Sequence, residues 1–141
     1  MKKSISALRK FSSFNCAQAV FSSFAEELKL DEQTALKLSS GFGGGMARGE
    51  TCGAVTASYL VIGMKHGHIH PDLLEKNNTK LLIRKFNDCF LSEHGSLKCK
   101  ELIGCDISDP EGLLKAKEKD AFSQFCPQLI ASACDILEKE F

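Results

Sequence analysis

The sequence predicts an all-α fold, one compact domain of about six to eight helices. Apolar residues recur with helical spacing along nearly all of the 141-residue chain. No segment alternates apolar and polar residues as a half-buried strand does, and no Asn-Gly or Asp-Gly pair offers a tight hairpin. The length suits one domain with a sizeable core.

The elements follow in order. A first helix spans 3–13. A second spans 16–29, where Ala17, Val20, Phe21, Phe24 and Leu28 share a face. Its start, Asn15-Cys-Ala-Gln18, reads as a capping box with Asn15 as the N-cap. A short helix at 32–40 ends in the glycine loop 41–49. The next helix, 52–65, takes Thr51 as its N-cap. A long helix, 72–92, follows Pro71 and carries Leu74, Leu81, Leu82 and Phe86. Short helices at 97–103, behind a Ser96 cap, and at 110–119 lead to a last one at 127–139. There Cys126 is placed at the cap and Pro127 opens the helix, which carries Ile130, Ala133, Cys134, Leu137 and Phe141. Phe11, Phe14, Phe21, Phe24, Phe86, Phe90, Phe122 and Phe125 are assigned to the core.

Eighteen basic residues balance eighteen acidic ones. A neutral chain lacks the basic face that nucleic acid requires, and the cluster Lys115–Lys119 is interrupted by Glu118. No apolar run reaches the roughly 20 residues of a membrane span. The opening MKKSISALRK begins like a signal peptide, but Arg9 and Lys10 cut its apolar stretch short. The expectation is a cytoplasmic protein without nucleic-acid partner or membrane span.

The stretch FGGGMARGETCGAVTA, 42–57, holds the strongest local signal. Gly44 and Gly49 have the outer spacing of a phosphate loop, and Thr51 fits its last position, but Glu50 stands where the Lys belongs. A carboxylate there repels phosphate. The dinucleotide pattern fails as well, because Met46 follows Gly41 and Gly43 at the third glycine position. The loop is therefore read as a tight turn that delivers Cys52 to a helix start.

Seven cysteines in this length is a high and odd number. Cys16, Cys52, Cys99 and Cys126 each fall at a predicted helix start, where unpaired N–H groups and the macrodipole favour a thiolate. Cys89, Cys105 and Cys134 are read as small core hydrophobes. His66, His68 and His70 are read as a helix exit with Gly67 as its cap rather than a metal tract. His94 has no evident partner in sequence.

NCAQAV, GFGGGMARGETCGAVTA, CKELIGCD and FCPQL together resemble the C_GCAxxG_C_C family of redox-active proteins, related to split-Soret cytochrome c. The resemblance runs from about Asn15 to Cys126, and the family's four cysteines match Cys16, Cys52, Cys99 and Cys126. It implies cysteine-based redox activity. One departure stands in the C-G-A-x-x-G pattern, where Ala57 replaces the last glycine. Haem is not carried over, because the chain lacks a C-x-x-C-H site.

Two functions are weighed. The first is thiol–disulfide exchange or electron transfer by the four cysteines, as in a thiol–disulfide oxidoreductase, with no cofactor. Cys52 is taken as nucleophile because its loop is open, Cys16 as its resolving partner, and Cys99 with Cys126 as a second pair. Arg48 would lower the Cys52 pKa and Glu50 would accept a proton. The alternative is a zinc or iron–sulfur module on the same four cysteines, against which the lack of close-spaced cysteine pairs counts. The expected partner is a redox protein or a small thiol or disulfide. A homo-oligomer is compatible with the sequence.

Overall fold

A computed structural model describes residues 2–141. Its eight α-helices are α1 (Lys3–Lys10), α2 (Cys16–Ser23), α3 (Glu32–Ser39), α4 (Gly53–His66), α5 (Leu73–His94), α6 (Cys99–Ile103), α7 (Pro110–Glu118) and α8 (Ala121–Glu140). The glycine loop between α3 and α4 holds one tight turn, Ser40–Phe42, and one wide turn, Gly45–Gly49. No strand forms among the described residues; the only pairing of that kind is an isolated bridge between Thr51 and Lys98. No helix there is long and apolar enough to cross a membrane.

The middle of the molecule is α4. Ala54, Val55, Ala57, Ser58, Val61 and Ile62 are all buried, so the helix is covered on several sides. Its small residues let α2 and α8 approach, and α1 packs across α2 and α8. Ser23, Ser39 and Ser58 are buried in this tight packing, and each donates its hydroxyl to the carbonyl four residues back. Phe86 joins α5 to the core, edge-on to Tyr59 at 6.2 Å and stacked with Phe90 at 6.1 Å.

Several expectations need correction. Helix α2 stops at Ser23; the chain continues in turns to Lys29, whose φ of 60° ends any regular helix. Helix α8 starts at Ala121, because Asp120 at φ 54° makes the break from α7. Pro127 therefore sits inside α8, not at its opening. Leu82 and Phe86 of α5 face inward, but Leu74 and Leu81 are 67% and 58% exposed. In the first turns of α5, Leu73, Leu74, Lys76, Asn77 and Asn78 are all exposed. Phe21, Phe24, Phe86 and Phe90 are buried as expected; Phe11, Phe122 and Phe125 border the core, and Phe14 is exposed.

Candidate functional site: a cavity walled by four cysteines

Cys16 is set by its cap. The Asn15 side chain accepts from the Gln18 N–H at 2.9 Å, and the Gln18 side chain accepts from the Asn15 N–H at 3.2 Å, so the capping box forms as read. The Asn15 amide also donates to the Ser40 carbonyl at 3.0 Å, and Gln18 donates to that of Leu36 at 3.1 Å. These bonds tie the start of α2 to the glycine loop.

The glycines fit the loop to this corner. Gly44, Gly45, Met46 and Ala47 are four successive residues in the left-handed region. Two of the four are glycine, which adopts that region without steric cost. A Cβ on Gly53 would lie 2.5 Å from the Cys16 sulfur and 2.9 Å from the Phe42 carbonyl oxygen. Only glycine lets the Cys16 thiol rest against the start of α4.

Two backbone bonds then join distant parts of the chain. The Cys52 N–H donates to the Leu97 carbonyl at 2.7 Å, and the Cys99 N–H donates to the Glu50 carbonyl at 2.6 Å. Thr51 thus serves the bridge to Lys98, and Cys52 itself is the N-cap residue of α4. Likewise Lys98 is the N-cap residue of α6, and Ser96 acts two residues earlier by accepting from the Lys98 N–H at 3.0 Å. Cys126 lies in the second turn of α8, so it is not a cap residue.

The four cysteines line one cavity of about 180 Å³. Phe11, Ile103, Phe122 and Leu129 complete an apolar wall, and among the described residues no charged side chain lines it. Cys52, Cys99 and Cys126 are 5%, 7% and 8% exposed, whereas Cys16 is half-buried. All seven cysteines are free thiols. Among the described residues, no three His, Cys, Asp or Glu side chains are grouped closely enough to hold one metal ion.

Burial overturns the expected acidity. It raises the Cys16, Cys52, Cys99 and Cys126 thiols, Cys99 to about 11 and Cys126 to about 12. Neighbouring thiols add to the rise: Cys16 acts on Cys52, Cys99 and Cys126. The helix-start effect is present but smaller. Backbone N–H groups of Gly44, Ala17 and Gly53 converge on the Cys16 sulfur, and those of Ala54 and Val55 on Cys52. Desolvation of a thiolate in an apolar cavity outweighs these bonds. Cys52 is also buried and not open to a partner, whereas Cys16 is half-buried as a residue.

The other candidates lie elsewhere. Arg48 is exposed, and its charge acts on Asp106. Glu50 pairs with Lys100 at 3.5 Å, and neither Arg48 nor Glu50 lines the cavity. Cys105 and Cys134 are buried as expected, but Cys89 is only half-buried. His66, His68 and His70 separate to Phe141, Thr79 and Glu75. His94 packs on the Phe90 ring at 4.5 Å, with Glu93 at 3.6 Å. Sequence reasoning assigned Phe11 and Phe122 to the core and missed their place on the cavity wall. It also missed the Gly44 amide, which no local pattern marks.

An all-α fold whose separate helices bring four cysteines to one cavity defines the class. Residues 14–140 match the family described as "Putative redox-active protein (C_GCAxxG_C_C)", and the chain belongs to that family. No curated protein and no solved structure matches the chain.

Proposed function

We propose that Cys16, Cys52, Cys99 and Cys126 form one thiol redox centre that cycles between thiols and disulfides. The observation that carries this reading is their convergence on one cavity from four separate segments. Each disulfide formed takes two electrons and two protons from a thiol pair. Cys16 is the entry point: it is the one residue of the four that is not fully buried, and three neighbouring amides partly offset the burial of its thiolate. Its thiolate attacks a disulfide sulfur of the oxidant, and the oxidant's other sulfur leaves as a thiolate. The Cys52 thiolate then attacks the Cys16 sulfur of the mixed disulfide and releases the reduced partner. Cys99 and Cys126 form the second pair. Arg48 and Glu50 take no part. A cavity this small and without charge favours a small neutral disulfide as oxidant.

Oxidation in a defined thiol–disulfide buffer, followed by peptide mapping, tests the assignment. Disulfides are expected only among the four, with a trapped mixed disulfide on Cys16 in Cys52→Ser. A mixed disulfide on Cys89 instead would refute it.

One observation favours a second reading. The four thiols surround a space, and no three of them are grouped to grip a single ion. An iron–sulfur cluster places its own sulfide and iron between its ligands, so its thiolates stand further apart than around one zinc. The all-thiol donor set fits such a cluster, and Cys16, Cys52, Cys99 and Cys126 would hold it as an electron carrier. Anaerobic reconstitution with iron and sulfide tests this: stoichiometric iron lost in Cys99→Ser supports it, and iron bound equally by that variant refutes it.

A further inference from the structure

Helix α5 has a second face that the described residues leave bare. Its inward side is built from Leu82, Ile83, Phe86 and Phe90. On the other side Leu74, Asn77, Leu81, Arg84, Asp88 and Leu91 follow at intervals of 3, 4, 3, 4 and 3 residues, and all six are exposed. At 3.6 residues per turn they fall within an arc of about 100°, centred away from Phe86. This is the spacing of a helix–helix seam. Its leucines are exposed, Leu74 at 67% and Leu81 at 58%, with Leu91 less so at 38%. Single exposed leucines are ordinary, but a register of them along one line is not. Arg84 and Asp88, in the same line, make no ion pair within the described residues.

We propose that this face pairs α5 with α5 of a second copy of the chain, antiparallel, about a twofold axis level with Phe86. The charges choose both occupant and register. In this pairing Arg84 of each copy meets Asp88 of the other, and Leu81 of each meets Leu91 of the other. The twofold axis repeats both contacts. Asn77 comes level with Gly95, beside which there is open space. A shift of seven residues would set Arg84 against Leu81 and leave both charges unpaired, which a desolvated seam disfavours. The face is thus self-complementary, as a twofold interface requires.

Sedimentation of the full reduced chain tests the pairing, with reductant present to exclude disulfide-linked dimers. The wild type is expected to dimerise reversibly. R84E and D88R each create two like-charge contacts by symmetry and are expected to raise the Kd about a hundredfold or more. The double variant R84E/D88R exchanges the charges and is expected to restore the dimer. All these positions are exposed, and far-UV circular dichroism checks that the helices remain. A wild type that stays monomeric up to about 100 µM, far weaker than a specific dimer, overturns the proposal. So does a dimer indifferent to R84E, or a double variant that fails to reassociate.

Discussion

At the scale of single residues, burial and helix geometry act in opposite directions on the same thiols. Cys16 sits at the first position of α2 and receives three neighbouring amides, yet its thiol is still raised. A hydrogen bond from a backbone N–H to a thiolate lowers its pKa, but an apolar cavity removes more hydration than these bonds return. Because the thiolate is the nucleophile, reactivity below the pKa rises about tenfold per pH unit. Labelling of the reduced protein with a neutral alkylating reagent is therefore expected to climb from pH 7 to 9 without a plateau. Cys16 is expected to react first of the four and Cys52 last. A plateau near pH 7 on any of them, read by peptide mass mapping, would contradict the burial account. Glu50→Gln is expected to leave the profile unchanged, since Glu50 is engaged with Lys100 outside the cavity.

At the scale of elements, the glycines of α4 separate packing from propensity. Gly53 has no room, with a Cβ 2.5 Å from the Cys16 sulfur. Gly53→Ala overpacks the junction of α2 and α4 and is expected to cost about 1–3 kcal/mol. Gly63, in the same helix, meets nothing within 4 Å, so Gly63→Ala is expected to gain about 0.5–1 kcal/mol. Urea unfolding of the two variants checks the opposite signs. Asn15→Ala removes the capping box and the bond to Ser40, and a loss of about 1 kcal/mol is expected in the same assay. The capping box was legible because all its parts lie within four residues. The start of α8 was not, because Pro127 imitates a first helical position while the break lies at Asp120. Leu74 and Leu81 have the spacing of a helical face, but spacing alone does not say which face the rest of the chain covers.

At the scale of the whole molecule, the convergence of Cys16, Cys52, Cys99 and Cys126 is a tertiary fact. Their positions span most of the sequence, and the packing of α2 on α4, the bridge between Thr51 and Lys98 and the crossing of α8 bring them together. The sequence marked these four by local helix-start signals. It could not show that their surroundings are apolar, so it misjudged the sign of the pKa shift. That sign has a consequence for stability. A thiol whose folded pKa lies above its unfolded value of about 8.5 stabilises the fold fully below that pH. The contribution is lost as pH rises through the folded values, about 11 for Cys99 and about 12 for Cys126 and Cys134. The melting temperature of the reduced protein is expected to hold level to about pH 8 and then fall, each thiol adding about 1.4 kcal/mol per pH unit. A profile level to pH 10 by circular dichroism would mean that the thiols are not buried in solution.

The most direct test of a four-thiol redox centre is the native mass of anaerobically purified protein, measured before and after mild oxidation and again after denaturation. The thiol account predicts the mass of the bare chain, falling by two hydrogens per disulfide, with bonds only among Cys16, Cys52, Cys99 and Cys126. A mass excess that disappears on denaturation would contradict it and make the same four cysteines ligands of a bound cluster.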